Sequence, residues 1–376
     1  MSKPFSMIRK ARATLAEEIQ PIQEAKDKPY HLVVFYHTGE DVRDIADGGA
    51  GGSESSALIQ KATSKLGIKL SSVDFVGAYL SEKNGKTYIN SFPFDDEGKV
   101  IYPSSKDRSS KDFQKPIEIN PENTILMPRG LGTIGLTGNR NWVDMIRKLK
   151  EDGFYVLNSL ENWDLCSSKY ICDILFRNAG LMTPKTVPVA HSEDTERAYN
   201  ELGTPFPVIL KASTGTQTGV GVVKVDSLSS LHSMVQMMFL YDKLTPIIIQ
   251  QFIKTDYDVR AVVLNGRIIG SMKRKVIEGA DFRSNVSLGA ESEAFELTDL
   301  EEDNCIKAAD AVKGMICGVD FIPSKNRKKE QPFMLEVNSN PGFGGVEKIN
   351  PNKSLTEEIF REFMNRDNWI DKSENT

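Results

Sequence analysis

Histidine and cysteine are scarce in this chain, whose 376 residues hold four of each. Cys166, Cys172, Cys305 and Cys317 form no CxxC pair and no zinc-finger spacing, so neither a dithiol centre nor a cysteine-built zinc site is expected. Their apolar, helical surroundings predict reduced, packed thiols in a reducing compartment. Long apolar runs are missing as well. None approaches the roughly 20 residues that cross a bilayer, and Met1 to Gln20 lacks the unbroken apolar core of a signal peptide. In that segment Phe5, Ile8, Ala11, Leu15 and Ile19 fit one face of a short helix, expected to pack on the protein itself or on a sister subunit. A homo-oligomer is therefore allowed, and a membrane partner is not expected. Positive charge is not in excess either. The formal net charge of -5 argues against general nucleic-acid binding, which needs a basic face. The basic run from Lys325 to Lys329 reads as a solvated turn. Internal repeats are absent, and the expected location is the cytoplasm.

What is present is ordinary globular composition, 39% hydrophobic and 26% charged, at a length suited to two or three domains. The fold class expected is α/β. A helical extension (1–30) precedes an open α/β domain (31–160), with strands at His31–Tyr36, Val73–Leu80, Thr124–Met127 and Phe154–Leu157. Helices are expected at Leu58–Leu66 and along the face Trp142, Met145, Ile146 and Leu149. Residues 81–123 read as hairpin and loop, and the glycine loop at 48–52 as a surface loop without a P-loop ending. The second unit (161–366) divides into a lobe at about 181–245 and another at about 246–366, ahead of a polar, frayed tail at 367–376. It holds a helix at Ser167–Asn178 and strands at Pro207–Ala212, Val220–Val225, Ile247–Phe252, Val259–Leu264 and Arg267–Lys273. Thr298 with Glu301 forms a capping box for a helix running to about Ile316, and Ser354 with Glu357 caps a last helix.

Chemistry concentrates in this second unit. Around Glu336 the chain reads as a strand, where residues two apart share a face. Glu336 and Asn338 then point together while Leu335 and Val337 enter the core. A polar turn, Pro323 to Glu330, suggests a hairpin that sets Asp320, at the end of a second strand, beside Glu336. Two acids and an amide at one point suit Mg²⁺, which prefers oxygen ligands and retains substrate phosphates in its shell. Ordinary polar strand ends would look the same. Lys211 ends an apolar strand ahead of Ser213-Thr214-Gly215-Thr216-Gln217-Thr218-Gly219-Val220-Gly221. Glycines and small hydroxylated residues let backbone N–H groups approach phosphate, and a lysine adds a point charge. A plain glycine hairpin is the alternative. Lys169 lies early in a helix. Gln251, Phe252 and Ile253 end a strand whose edge could meet adenine. Arg260, Lys273, Arg274 and Arg283 put cations on one hairpin and the loop after it. They suit a carboxylate and a γ-phosphate, or are solvated edge charges.

In their order these motifs resemble the ATP-grasp ligases, and most closely the RimK family of α-L-glutamate ligases, over roughly residues 124–365. Gly215-Thr216-Gln217, Asp281-Phe282-Arg283-Ser284-Asn285, Leu335-Glu336-Val337-Asn338 and Gly345-Val346-Glu347-Lys348 carry the likeness. The resemblance implies an α/β ATP-grasp fold behind a pre-ATP-grasp domain. It implies ATP on Lys169, Lys211, Gly215, Thr216, Gln217, Gly219 and Gly221, with adenine against Gln251, Phe252 and Ile253. Two Mg²⁺ ions, replaceable by Mn²⁺, would sit on Asp320, Glu336 and Asn338. Arg260, Arg274 and Arg283 would act catalytically, with Lys273, Arg274, Arg283, Ser284 and Asn285 binding substrate. The implied reaction converts a carboxylate to an acyl phosphate, which an amine attacks, joining glutamate or another amino acid to a protein or peptide acceptor. Neither the cysteines nor His31, His37, His191 and His232 take part in it. The sequence departs from the family at Thr218, an extra loop residue, at Gln251, where an acid is common, and at Ser287-Leu288-Gly289-Ala290, often His-Arg-Gly-Gly. A small-peptide synthetase of glutathione-synthetase type and a non-catalytic ATP-binding regulator are the alternatives.

Overall fold

The computed structural model describes residues 29–36, 54–95, 100–102, 113–129, 140–213, 221–241, 246–275, 292–350 and 353–372. The predicted N-terminal helix, the glycine loop at 48–52 and the segment 287–290 lie outside these residues.

The first unit is a parallel sheet of β1 (His31–Tyr36), β2 (Lys69–Asp74), β6 (Thr124–Arg129) and β7 (Tyr155–Val156), in the order β2-β1-β6-β7. Every residue of β1 is buried, as expected of a parallel strand covered on both faces. Val33 and Phe35 meet helix α2 (Arg140–Glu151) through Trp142 and Ile146. Leu32, Val34 and Tyr36 face the other way, toward helix α1 (Glu54–Leu66) and the second unit. The strand expected over Val73–Leu80 is broken after Asp74. A Cβ at Gly77 would lie 2.4 Å from the Phe92 ring, so only glycine lets the chain turn there. Residues 81–123 are more regular than expected, because β3 (Tyr79–Lys83), β4 (Lys86–Asn90) and β5 (Ile117–Ile119) form a small antiparallel sheet.

The helix expected at Ser167–Asn178 is present as α4 (Lys169–Asn178), and an unexpected helix, α3 (Leu160–Ser167), precedes it. Ser168 adopts extended backbone between them, and its hydroxyl caps α4 by accepting from Ile171 N. Strands β8 (Thr186–Val189), β9 (Val208–Ala212), β10 (Val222–Val225) and β11 (Ile247–Gln251) make an antiparallel sheet in the order β10-β9-β11-β8. It carries helices α5 (Thr195–Leu202) and α6 (Leu228–Tyr241). The lobe boundary expected near residue 245 therefore moves past Gln251, since β11 pairs with both β8 and β9.

The last sheet runs β14 (Ser292–Ala294), β13 (Arg267–Lys275), β12 (Tyr257–Leu264), β15 (Ile316–Ile322), β16 (Phe333–Asn338). Val259, Ala261 and Val263 face helix α7 (Asp299–Ala311), which the expected capping box of Thr298 and Glu301 opens. That helix stops at Ala311 rather than Ile316. Lys313 turns left-handed (φ 58°), and a Cβ at Gly314 would sit 2.0 Å from Cys317 Sγ. Val262 and Leu264, on the opposite face, join Leu32, Val34 and Ile59 in one core with helix α8 (Gly344–Lys348) and helix α9 (Leu355–Phe363). The first unit is thus packed directly on the sheet that bears the acids.

Asn158 locks the two together. Its Nδ2 donates to the carbonyls of Ile316 and Ser339, each at 2.6 Å, and its Oδ1 accepts from Met315 N and Ile316 N, each at 2.9 Å. The tail expected to fray is docked as far as Lys372. Trp369 stacks on Tyr155 at 5.4 Å between centroids and donates to the Phe363 carbonyl, while Lys372 pairs with Asp310 at 2.7 Å.

Candidate active site

Strands β15 and β16 are antiparallel, with Asp320 directly opposite Glu336 and Gly318 opposite Asn338. Asn338 Nδ2 lies 3.4 Å from Glu336 Oε1, so the two side chains share a face as expected. Leu335 does not enter the core. The register shifts between Asp320 and Phe321, which pairs with Met334, leaving Leu335 as the extra residue of a bulge. Val337 is buried as expected, Met334 is buried in place of Leu335, and Leu335 is half-buried. Asp320 also lies inside its strand rather than at the end, which is reached at Ile322.

Beside these acids lies a buried chain of alternating charge. Arg260 donates to Asp320 through Nε (2.7 Å) and Nη2 (2.6 Å). Arg274, 3% exposed, forks onto Asp258 at 2.6 and 2.8 Å and reaches Asp320 Oδ2 at 3.3 Å. Burial opposes ionisation of Asp320, but the Arg260 and Arg274 guanidiniums outweigh it and hold the carboxyl below its ordinary value. Burial likewise opposes the charge on Arg274, and Asp320 and Asp258 outweigh it, so its pKa is raised. The geometry corrects one expectation: the Arg274 fork is filled by protein carboxylates and is not offered to substrate. Arg260 stays 19% exposed.

Lys273 is not brought to this group. Neighbouring residues of a strand face opposite sides, and Lys273 pairs with Glu293 at 2.9 Å while lying 4.5 Å from the Tyr257 ring centroid.

Lys211 comes from the other sheet. Its ammonium donates to Gln250 Oε1 at 2.7 Å, and Gln250 is held in turn by Thr186. Burial pushes the Lys211 pKa down to about 8, a fall opposed by Glu336 and assisted by Lys169. Lys169 opens α4, and its N–H donates to the Ser213 carbonyl (2.9 Å) just past β9. Glu336 and Lys169 therefore both act on the Lys211 ammonium. Of the expected adenine wall, Ile253 lines a cavity of about 690 Å³ with Met182, Ile322 and Phe333. Gln251 instead accepts from Lys185 N at 3.3 Å, and Phe252 lies under Lys224 at 5.6 Å. Gly221 has positive φ (76°), the one expected loop glycine among the described residues. Gly215, Thr216, Gln217 and Gly219 lie outside them, as do Arg283, Ser284 and Asn285.

The donor set fits a magnesium ion. Among the described residues no cluster of three or more histidine, cysteine, aspartate and glutamate side chains is poised to hold a metal. Two acids and an amide form an open set of hard oxygens instead, which suits an ion completing its shell with phosphate oxygens and water. A carboxylate has about four lone-pair sites, so pairing with Arg260 leaves Asp320 capacity for a cation. Asp258, Gln250 and Asn158, which hold Arg274, Lys211 and the strand ends, were given no role from the sequence. Their signal was a polar side chain in or beside an apolar strand, which alone does not distinguish support from solvation.

Acids on the last sheet, with Lys211 from the antiparallel sheet before it and Lys169 from the start of α4, give the arrangement of an ATP-grasp ligase. Solved structures agree. D-alanine–D-alanine ligase from Bacillus anthracis, complexed with ATP, superposes with TM-score 0.60 at 15% identity, covering 93% of this chain and 100% of that one. The macrocyclase MdnC, bound with precursor peptide MdnA from Microcystis aeruginosa MRC, superposes with TM-score 0.56 at 14% identity, covering 88% and 98%. Residues 166–359 match the family model described as the RimK-like ATP-grasp domain. A probable alpha-L-glutamate ligase of Xanthomonas oryzae pv. oryzae is 33% identical over 219 residues, 57% of this chain and 71% of the relative. A namesake from Hydrogenovibrio crunogenus is 33% identical over 206 residues, covering 54% and 65%. The chain belongs to the RimK-like ATP-grasp family. It is an enzyme that ligates a carboxylate to an amine, with ATP and Mg²⁺. Among the described residues no helix is long and apolar enough to cross a membrane.

Proposed function

We propose that this ligase joins glutamate to a protein or peptide acceptor. The observation that carries the reading is the buried Asp258–Arg274–Asp320–Arg260 chain set against Glu336 and Lys211. The names of the glutamate-ligase relatives support the amino acid, and the peptide-bound macrocyclase supports an acceptor of peptide type. Lys169 and Lys211 hold the ATP phosphates, and Asp320, Glu336 and Asn338 hold the metal. A Mg²⁺ ion held by these three side chains would supply positive charge to the phosphate oxygens during transfer. Arg260 stabilises the transferred phosphoryl group beside Asp320, and Arg274 positions Asp320 from behind. The carboxylate oxygen takes the γ-phosphoryl group of ATP and ADP leaves; the amine then attacks the acyl carbon, loses a proton and forms the amide as phosphate leaves. The test is ADP release by the purified protein with MgATP and each amino acid in turn, followed by mass spectrometry of acceptors in a cell extract. Glutamate-dependent release with an added glutamyl mass is expected. Release with every amino acid except glutamate would overturn the reading.

Lys211 gives this reading a pH signature. Its charged form binds phosphate and is depleted as pH rises through about 8. Nucleotide affinity is expected to fall from about pH 7 to about pH 9.5 by roughly tenfold, the scale of one charged hydrogen bond. In Lys211→Arg the guanidinium stays charged over that range and the fall disappears. Calorimetric titration with ADP at both pH values checks this, and an equal fall in wild type and variant would refute the role of Lys211.

A further inference from the structure

Arg129 ends β6 at the carboxyl edge of the parallel sheet, directly opposite Tyr36 at the end of β1. In the order β2-β1-β6-β7, the chain leaves β1 toward β2 and leaves β6 toward β7 on the other side. The strand order therefore reverses between β1 and β6, and open parallel sheets bind ligands outside the carboxyl ends at such a point. Arg129 carries the polar groups there. Its Nη1 is buried and has no hydrogen-bond partner among the described residues. Burial pulls its pKa down to about 10, with Tyr36 opposing the fall. A buried cation without an anion is costly, and removing water from it raises its attraction for one. The guanidinium also lies over the Phe343 ring, 5.1 Å from its centroid. A planar guanidinium is the group best shaped to take a carboxylate through two parallel bonds.

Its position ties it to the reaction centre. Phe343 belongs to the loop that leaves β16 after Asn338. Within that loop Pro341 abuts Gly318, where an added Cβ would lie 3.0 Å from Pro341 Cβ and 3.7 Å from Arg260 Nε. Phe343 N lies 3.4 Å from Ser55 Oγ in the first turn of α1. One short loop thus runs from Arg260 to Arg129. We propose that Arg129, with Tyr36 beside it, binds a carboxylate of the amino-acid substrate that does not itself react. The inference rests on the amino-acid ligase reading and deepens it, by assigning the first unit the task of holding that substrate.

Calorimetry of glutamate binding to the full chain in the presence of MgADP, alongside glutamate-dependent ADP release, tests it in wild type, Arg129→Gln and Arg129→Lys. Arg129→Gln is expected to weaken glutamate binding and raise its KM by about tenfold to a hundredfold, the scale of a charged hydrogen bond. The KM for ATP should not move, and Arg129→Lys should lie between. Wild type should also prefer glutamate over one of its two monoamides, a preference the Gln variant loses. A purely structural arginine would not produce that collapse. Unchanged glutamate affinity in either folded variant, or parallel losses for ATP and glutamate, overturns the proposal. Should wild type bind acidic amino acids but turn none of them over, the ligation reading fails while the Arg129 site is still judged on affinity. Should wild type bind none, the site is refuted.

Discussion

Glu336→Gln is expected to lower ATP turnover by about a hundredfold or more while the protein folds normally. The substitution keeps shape and removes one charge. Among the described residues the hydrogen bond recorded to Glu336 is the long 3.4 Å contact from Asn338 Nδ2, so little packing depends on its charge. A metal between Glu336 and the phosphates depends on it heavily, since even outer-shell changes cost about 10- to 100-fold in metal affinity or activity. The informative readout is the difference between nucleotide affinity with Mg²⁺ and with chelator. Wild type should show a large difference and Glu336→Gln almost none, at unchanged melting temperature. A variant that keeps both its Mg²⁺ dependence and its turnover would remove Glu336 from the metal site.

The site was legible where side-chain chemistry and strand period coincide. Asp320 opposite Glu336, and Asn338 beside Glu336, follow from a hairpin with period-two alternation, and both pairings are present. Leu335 escaped that logic because one bulge residue shifts the alternation by one. The same period argument, applied strictly, separates Lys273 from Arg274, which chemistry alone had grouped. The occupancy of the arginines was not legible at all. Asp258 and Arg274 are far enough apart in sequence that only the pairing of β12 with β13 sets them face to face. Helix ends were legible where a side chain caps them, as at Thr298 and Ser354, and misplaced where backbone decides, as at Lys313 and Gly314. Glu347 shows the same limit. It stands in a motif that carries the family likeness, yet its carboxylate accepts from Ser354 Oγ (2.7 Å) and Thr356 Oγ1 (2.6 Å) and so anchors the start of α9.

Arg274→Met is expected to lower stability by about 3–5 kcal/mol, the usual consequence of removing one partner from a buried ion pair. The melting temperature should fall by roughly 5–15 °C. The arginine is nearly inaccessible and donates two short bonds to Asp258 and a longer one to Asp320, so methionine fills the volume but leaves both carboxylates without that guanidinium. The pH dependence has a definite sign. The Asp320 carboxyl lies below its ordinary value in the folded protein. The stability it contributes is therefore present above the unfolded pKa of about 3.9 and is lost as pH falls through the folded value. Protonated carboxyls no longer need the arginine, so the gap between wild type and variant should narrow below about pH 4. Asp258→Asn combined with Arg274→Met should cost clearly less than the sum of the single changes, with a coupling of about 1 kcal/mol or more. Urea denaturation of the four proteins at neutral and acid pH measures all of this. Additive losses, or a gap that widens on acidification, would mean that Arg274 does not hold Asp320 in place through charge.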